Sequence, residues 1–134
     1  MINFKEKLRN SSLRPTKQRL KICEALFTPE KTFHFTVNDL TKIIEEKFNE
    51  KISLATVYNT VHEFKKKGYL KEISINSDKT YFDTNTSHHH HFFDSSTMEL
   101  TDLSNEQVEK IQINTSLPGK KISSVEILVK VENK

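Results

Sequence analysis

Histidines provide the first candidate chemistry in this sequence. The chain has six of them, and four are consecutive, namely His88, His89, His90 and His91. On an extended strand successive side chains point to opposite faces, so His89 and His91 share one face while His88 and His90 share the other. We therefore expect one histidine run to serve two separate sites. A solvated loop that binds nothing is the alternative interpretation of such a run.

Two carboxylates and a further histidine flank the face of His89 and His91. Asp83 precedes His89 closely, Asp102 follows on the next predicted strand, and His34 lies just before a predicted helix. Together they offer three imidazoles and two carboxylates, a nitrogen and oxygen set that suits Fe²⁺, Mn²⁺ or Zn²⁺ without discriminating among them. Because the ligands come from both halves of the chain, a bound ion would bias the angle between the halves.

The other histidine face has three open interpretations. His88 and His90 lie next to Phe92 and Phe93, and together they could offer axial imidazoles to haem beside an apolar wall. With Glu109 they could instead form a second divalent metal site. The third interpretation is that this face binds no ligand.

Helices are predicted in the front half of the chain, where they would help to position the histidines and carboxylates. Thr16 can cap a helix that ends at Phe27, and Thr36 followed by Asp39 resembles a capping box. Ser53 can cap a third segment that ends at Gly68. The polar face of this third segment carries five residues, namely Ala55, Tyr58, Asn59, His62 and Lys66.

A hairpin follows the third helix. Residues 69–75 and 79–83 have β-branched and aromatic content around a turn of Asn76, Ser77 and Asp78. Helices followed by a hairpin predict a winged helix-turn-helix, in which the last helix enters the major groove of DNA. A small helical domain with a merely solvated polar face is the alternative.

The back half predicts a small α/β module. We expect strands at residues 88–93, 98–103 and 125–131, with a helix over residues 104–113. Such a short segment has too little core to stand alone, so we expect its alternating final strand to pack against a second copy. The predicted fold class is therefore α/β, with a winged-helix DNA-binding domain at residues 1–83 and a dimerisation and metal- or haem-sensing domain at residues 84–134.

Composition excludes several classes. The chain has 134 residues and a net charge of +3, which divides into +5 over residues 1–83 (16 basic, 11 acidic) and −2 over residues 84–134 (5 basic, 7 acidic). Two glycines are too few for a phosphate-binding glycine-rich loop. We expect no membrane span and no signal peptide, because no long apolar run is present. A single cysteine, Cys23, excludes a Cys-based zinc cluster and favours the reducing cytoplasm.

These motifs resemble the ferric uptake regulator family over nearly the whole chain. The histidine run without nearby cysteines is most similar to the iron response regulators of alphaproteobacteria, which act when iron is scarce and are disabled by haem. The matching stretches are Leu13-Arg14-Pro15-Thr16-Lys17-Gln18-Arg19, Leu54-Ala55-Thr56-Val57-Tyr58-Asn59-Thr60-Val61, Gly68-Tyr69-Leu70, residues 82–93 and residues 117–122.

The resemblance implies specific roles on DNA. The tyrosine matching Tyr58 reads thymine methyl groups in the major groove, and the position of Arg14 enters a narrow A·T-rich minor groove. Arg19, Ser53 and Thr56 match phosphate-contacting positions, and Asn59, next to the reading tyrosine, is a further DNA-binding residue that we expect.

It also implies ligand sets. The regulatory metal site corresponds to His34, Asp83, His89, His91 and Asp102. The haem candidates and the residue matching the family's second metal site are His88, His89, His90 and Glu109.

Three departures from the family pattern are visible. Asp94-Ser95-Ser96-Thr97 stands where most members have cysteines for a structural zinc, so we expect no Cys-bound zinc. Val125 stands where a histidine usually completes the second metal site, and Cys23 is followed by Glu24 rather than by the proline of a haem motif.

The expected function is a homodimeric, metal- and haem-responsive regulator of iron or haem homeostasis that binds A·T-rich operators. A manganese or peroxide sensor of the same family is the nearer alternative, and a metal-dependent hydrolase is the remote one.

Overall fold

The protein divides into two compact units in the computed structural model, which describes residues 3–134. The first unit runs to Thr86 and the second spans Ser87–Lys134. The division falls three residues after the boundary expected from sequence. Met1 and Ile2, the start of the predicted first domain, lie outside the described residues.

Four helices form most of the first unit, and a capping side chain, Asn3 for the first helix, sets where each of them begins. Thr16 and Ser53 accept hydrogen bonds from the backbone N–H groups three residues on, and Thr36 forms a reciprocal capping box with Asp39. Gly68, at φ +82°, follows the end of the fourth helix in the left-handed conformation that glycine adopts without strain. The helices are α1 (Phe4–Asn10), α2 (Lys17–Phe27), α3 (Val37–Phe48) and α4 (Leu54–Lys66).

A three-stranded sheet completes the first unit. Its strands are β1 (His34–Phe35), β2 (Lys71–Asn76) and β3 (Lys79–Asp83), in the spatial order β1-β3-β2. The hairpin β2–β3 follows α4 directly, as a winged helix-turn-helix requires. In the antiparallel register β1 pairs with β3 so that His34 lies opposite Asp83 and Phe35 lies opposite Phe82.

The core of the first unit explains why α4 presents one polar face. Val57, Val61 and Phe64 of α4 are fully buried, and they pack with Leu40 and Ile44 of α3 in one apolar cluster. Tyr58 and Asn59, which lie between Val57 and Val61, therefore face outward.

The second unit contains a three-stranded sheet of order β5-β4-β6. The strands are β4 (His90–Asp94), β5 (Glu99–Leu103) and β6 (Leu128–Val131). Strand β4 is antiparallel to β5 and parallel to β6. The last strand begins three residues later than expected from sequence, and the first begins at His90 rather than His88.

The helix expected over residues 104–113 is wrong. Only a single 3₁₀ turn, Asn105–Gln107, forms there, and Val108 is already extended. The β-branched residues Val108, Ile111 and Ile113 disfavour a helix, and an isolated helix of this length needs packing to be stable. Ile111 and Ile113 are exposed, so their side chains gain little packing from the other described residues of the single chain.

None of the helices within residues 3–134 combines the length and the apolar character needed to cross a membrane.

Candidate metal centre and nucleic-acid face

His34 and Asp83 form an acid–imidazole pair in the first unit. The pairing of β1 with β3 sets them opposite each other, and His34 Nε2 lies 3.1 Å from Asp83 Oδ2. The Asp83 carboxylate is 1% exposed, and its Oδ1 accepts a hydrogen bond from the backbone N–H of Asn85 at 2.8 Å. A carboxylate buried to this degree requires a cation or several donors to offset its desolvation.

Three ligand-type side chains cluster in the second unit. His91 lies opposite Asp102 in the β4–β5 register, and the rings of His89 and His91 are 4.4 Å apart, centroid to centroid. Asp102 Oδ1 lies 3.2 Å from His89 Nε2 and 3.5 Å from His91 Nε2. The ligand atoms of the three residues lie within 4.8 Å of one another, and both histidines are buried.

The hydrogen bonding of His89 suits a metal ligand. Its Nδ1 lies 2.7 Å from the carbonyl oxygen of Ser87, so Nδ1 carries the proton and donates. The lone pair of a neutral ring is then on Nε2, directed at the Asp102 carboxylate. A lone pair and a carboxylate repel each other unless a proton or a metal ion lies between them. At metal sites a ligating histidine usually donates its other ring N–H to a backbone carbonyl or a carboxylate, and this bond fixes the orientation of the ring.

The donor chemistry of both groups fits a first-row divalent ion. Imidazole nitrogens and carboxylate oxygens accept Fe²⁺, Mn²⁺ and Zn²⁺, and this donor set does not choose among the three. The alternation of the histidine run, expected from strand geometry, is what the structure shows: His89 and His91 adjoin each other, as do His88 and His90, whose rings are 5.2 Å apart.

His88 and His90 line a separate cavity of 440 Å³ together with Glu109 and Val125. Both ring nitrogens of His88 are engaged, Nδ1 with Asn105 Oδ1 at 3.1 Å and Nε2 with the carbonyl oxygen of Val125 at 2.8 Å.

The second ring of this cavity is engaged as well. His90 Nδ1 accepts from the backbone N–H of Ile127 at 2.9 Å, so its Nε2 carries the proton in the neutral ring. Burial, followed by the proximity of His88, lowers the pKa of His90. Ligation of haem iron here would therefore replace existing hydrogen bonds on either ring.

The outer face of α4 carries the predicted base-reading residues. Tyr58 is 55% exposed and Asn59 is exposed beside it. Ser53, by contrast, has a structural task, because its Oγ caps α4 by accepting from the N–H of Thr56 at 3.4 Å. Thr56 is half-buried one turn before Asn59 and Thr60.

Arg14 and Arg19 lie at the start of α2. Arg19 Nη1 donates to the carbonyl oxygen of Arg14 at 3.1 Å, which ties the two residues together. Arg19 Nε is buried, and within residues 3–134 it has no hydrogen-bond partner. A buried donor without a partner is rare, and a phosphate oxygen is one acceptor that could satisfy it.

Two residues near these sites were not among the predicted site residues. His62 stacks on Tyr58, a contact that i, i+4 spacing on a helix makes readable from sequence. Asn105 engages His88 through both its side-chain oxygen and its Nδ2, which donates to the His88 carbonyl oxygen at 2.8 Å. No sequence signal indicates the second contact, because it joins positions 17 residues apart.

Cys23 takes no part in either site. It is fully buried in the core of the first unit, and burial raises the pKa of its thiol to about 12. A thiol so protonated is neither a nucleophile nor a metal ligand.

Known proteins share both the sequence and the fold of this chain. A sequence profile of the ferric uptake regulator family matches residues 10–130. The chain is 33% identical over 113 residues to the ferric uptake regulation protein of Yersinia pestis, across 84% of this chain and 75% of that protein. It is 37% identical over 82 residues to the peroxide operon regulator of Bacillus subtilis, across 61% of this chain and 54% of that regulator.

Solved structures are similar to it in fold. The ferric uptake regulator of Pseudomonas aeruginosa with manganese aligns with a TM-score of 0.71 at 23% identity, covering 99% of each chain. The peroxide stress regulator of Campylobacter jejuni aligns with a TM-score of 0.64 at 23% identity, covering 99% of this chain and 98% of that one. These likenesses confirm the α/β fold class predicted from the sequence.

Proposed function

The chain belongs to the ferric uptake regulator family, and from this premise we propose that it regulates transcription by coupling a bound divalent metal ion to operator binding. Members of this family are DNA-binding, metal-binding transcriptional regulators and not enzymes, so the metal-dependent hydrolase considered from sequence is set aside. The observation that carries the proposal is the pair of ligand groups, one in each unit, built from imidazoles and carboxylates alone.

We assign His34 and Asp83 of the first unit and His89, His91 and Asp102 of the second to one regulatory metal site. The ion would offset the charge of the buried Asp83 carboxylate and accept the lone pair of His89 Nε2. Because the proposed ligands come from both units, a bound ion would favour one arrangement of the units over others. The ion shifts the population of arrangements only as far as its affinity differs between them. Fe²⁺ and Mn²⁺ are the ions proposed, with Zn²⁺ as a further candidate.

DNA recognition is assigned to the outer face of α4 and the start of α2. Tyr58 and Asn59 are exposed where α4 would enter the major groove, and Tyr58 is proposed to contact thymine methyl groups. Arg14 is proposed to enter the minor groove of A·T-rich operators, and Arg19, Ser53 and Thr56 to contact phosphates. The partnerless Nε of Arg19 supports the phosphate contact.

A homodimer is proposed as the DNA-binding form. Strand β6 lies at the edge of its sheet, and its alternating apolar residues are only half-buried in the single chain. Ile113, Leu117 and Ile122 of the preceding segment are exposed. A second copy would cover this surface and bring two winged helices to paired half-sites. Together with the single cysteine, this function is proposed to operate in the reducing cytoplasm.

The experiment that tests the proposal is a gel shift on an A·T-rich palindromic operator, with chelated protein and with added Mn²⁺ or Fe²⁺. We expect a retarded complex whose midpoint depends on the metal and which a scrambled duplex of equal composition does not form. Metal-independent binding with no preference between the two duplexes would contradict the proposal.

Peroxide sensing by the same ligand set is a second candidate, favoured by the 37% identity with the Bacillus subtilis peroxide operon regulator. It requires oxidation of His34 or His89 by Fe²⁺ and peroxide. Mass spectrometry of the iron-loaded protein after peroxide exposure decides: an added oxygen on either histidine supports it, and unmodified peptides eliminate it.

Haem response is a third candidate, favoured by the cavity that His88 and His90 line with Glu109. The iron-and-haem role of the iron response regulators would make haem the signal that releases DNA. We expect a haemin titration to show a Soret band that the double variant His88→Ala, His90→Ala loses, together with haem-induced release. Release retained in the double variant would place any haem response elsewhere.

A further inference from the structure

A chain of four aromatic rings runs from the exposed face of α4 into the core of the first unit. Tyr58 and His62 lie one turn apart on α4, with ring centroids 4.2 Å apart and planes inclined by 38°. His62 meets the ring of Phe82 edge-on at 5.8 Å, and Phe82 stacks on Phe35 at 5.8 Å. Phe82 and Phe35 are almost fully buried, whereas Tyr58 is half-exposed.

We infer that His62 is a positioning residue for DNA reading, which holds the Tyr58 ring in one orientation before DNA binds. This rests on the proposed function, in which Tyr58 reads thymine methyl groups. An exposed tyrosine without a neighbour loses rotamer freedom when it is immobilised on a base, and that loss weakens binding. The contact with His62 removes part of this freedom in advance, because the His62 ring already lies 4.2 Å from the Tyr58 ring, centroid to centroid.

His62 can restrain the Tyr58 ring because His62 is itself held in place. A ring stacked on an equally mobile neighbour would restrain little, but His62 is half-buried and its other side contacts Phe82 of β3. Phe82 is held in turn by its pairing with Phe35 across the sheet. The contacts of His62 therefore connect Tyr58 to the three-stranded sheet of the first unit.

His62 also lines one side of a cleft of 410 Å³ between α4 and the wing. The same cleft is lined by Tyr58, Lys79 and Thr80, so DNA entering it would meet both rings. A direct contact from His62 to DNA is thus the competing role. The two roles differ in one respect: a positioning residue has no effect once Tyr58 is absent.

A double-mutant cycle separates these roles. The probes are fluorescently labelled duplexes, an A·T-rich palindromic operator and a scrambled control, and the readout is anisotropy in Mn²⁺. We expect His62→Ala and His62→Asn to weaken operator binding by about three- to tenfold, the size expected for one aromatic pair, and to leave scrambled-duplex binding unchanged. His62→Phe, which keeps a ring, restores binding to within about twofold of wild type.

In the Tyr58→Ala background, His62→Ala adds no further loss if His62 acts through the tyrosine. Equal loss in both backgrounds would overturn the inference in favour of direct contact, and no loss in either would remove His62 from recognition. Replacing operator thymines by uracils gives an independent readout, because wild type should lose more affinity than His62→Ala does.

Failure of this inference and failure of the proposed function are distinguishable. If wild type shows no operator preference, the proposed function fails. If wild type prefers the operator and Tyr58→Ala weakens that preference while His62→Ala leaves it unchanged, the positioning role alone is wrong. Circular dichroism and the thermal midpoint of each variant show whether it is folded. If His62→Ala does not fold, His62→Asn and His62→Phe still test the inference.

Discussion

Replacing Asp83 by asparagine tests the metal site at its most buried ligand. The substitution keeps the shape of the side chain, and an asparagine Oδ1 can still accept the hydrogen bond that Asn85 donates at 2.8 Å. What it removes is the negative charge opposite His34. We therefore expect the metal-free variant to be about as stable as wild type, because a buried ion pair such as His34 with Asp83 contributes little net stability compared with a neutral pair of the same shape.

The expected difference arises when metal is added. A ligand at 100 times its Kd stabilises the folded state by about 2.7 kcal/mol. Changing even an outer-shell partner of a metal ligand costs about 10–100-fold in affinity, so loss of a direct ligand should cost about 100-fold or more. At the same metal concentration the variant then gains about 0.4 kcal/mol at most. At about 4 °C per kcal/mol for a chain of this length, the metal raises the thermal midpoint by about 10 °C in wild type and about 2 °C in the variant.

Scanning calorimetry of chelated protein with and without MnCl₂ measures this difference. Asp78→Asn is the matched control, because it makes the same chemical change at an exposed position in the turn of the wing. The control should keep the full metal-induced shift. If Asp83→Asn also keeps it, Asp83 is not a ligand and the assignment of the site is wrong.

Three further predictions follow from other parts of the first unit. Tyr58→Ala should weaken operator binding by about 1–3 kcal/mol without weakening binding to random DNA, and equal losses by anisotropy would contradict base reading. Burial raises the pKa of Cys23 from 9.0 to about 12, so only the unfolded chain loses this proton between those values. The free energy of unfolding should therefore fall as pH rises from about 9 to about 12. The urea midpoint of Cys23→Ala should fall less over this pH range, and a decline as steep as that of wild type would refute the prediction. Thr36→Ala should lower the free energy of unfolding by about 1 kcal/mol in urea, because the capping box with Asp39 is lost, and no change would contradict the role of the box.

Local signals in the sequence predict most of the first unit. Capping side chains such as Thr36 and Ser53 act within one helical turn, so the residues that begin a helix are readable from spacing alone. The division of the histidine run between two faces follows from the two-residue period of a strand in the same way. His34 opposite Asp83 is less local, yet both residues adjoin predicted elements that the winged-helix arrangement brings together.

The back half was harder to predict because its structure depends on contacts between distant residues. The segment after Ser104 carries apolar residues at spacings compatible with a helix, but a helix of that length needs a surface to pack on. The hydrogen bonds of His88 to Asn105 and Val125 span 17 and 37 residues, and nothing in the local sequence indicates them. These contacts bear directly on whether His88 is available as a haem ligand.

Operator affinity measured with and without metal shows whether the bound ion controls DNA binding. The same A·T-rich palindromic duplex is titrated by anisotropy with chelated protein and with protein saturated with Mn²⁺. We predict that the two Kd values differ by about 5–150-fold, the range typical of coupling between two sites, and that Asp83→Asn removes most of the difference. Equal affinities with and without metal, in a protein that binds both the ion and the operator, would contradict it.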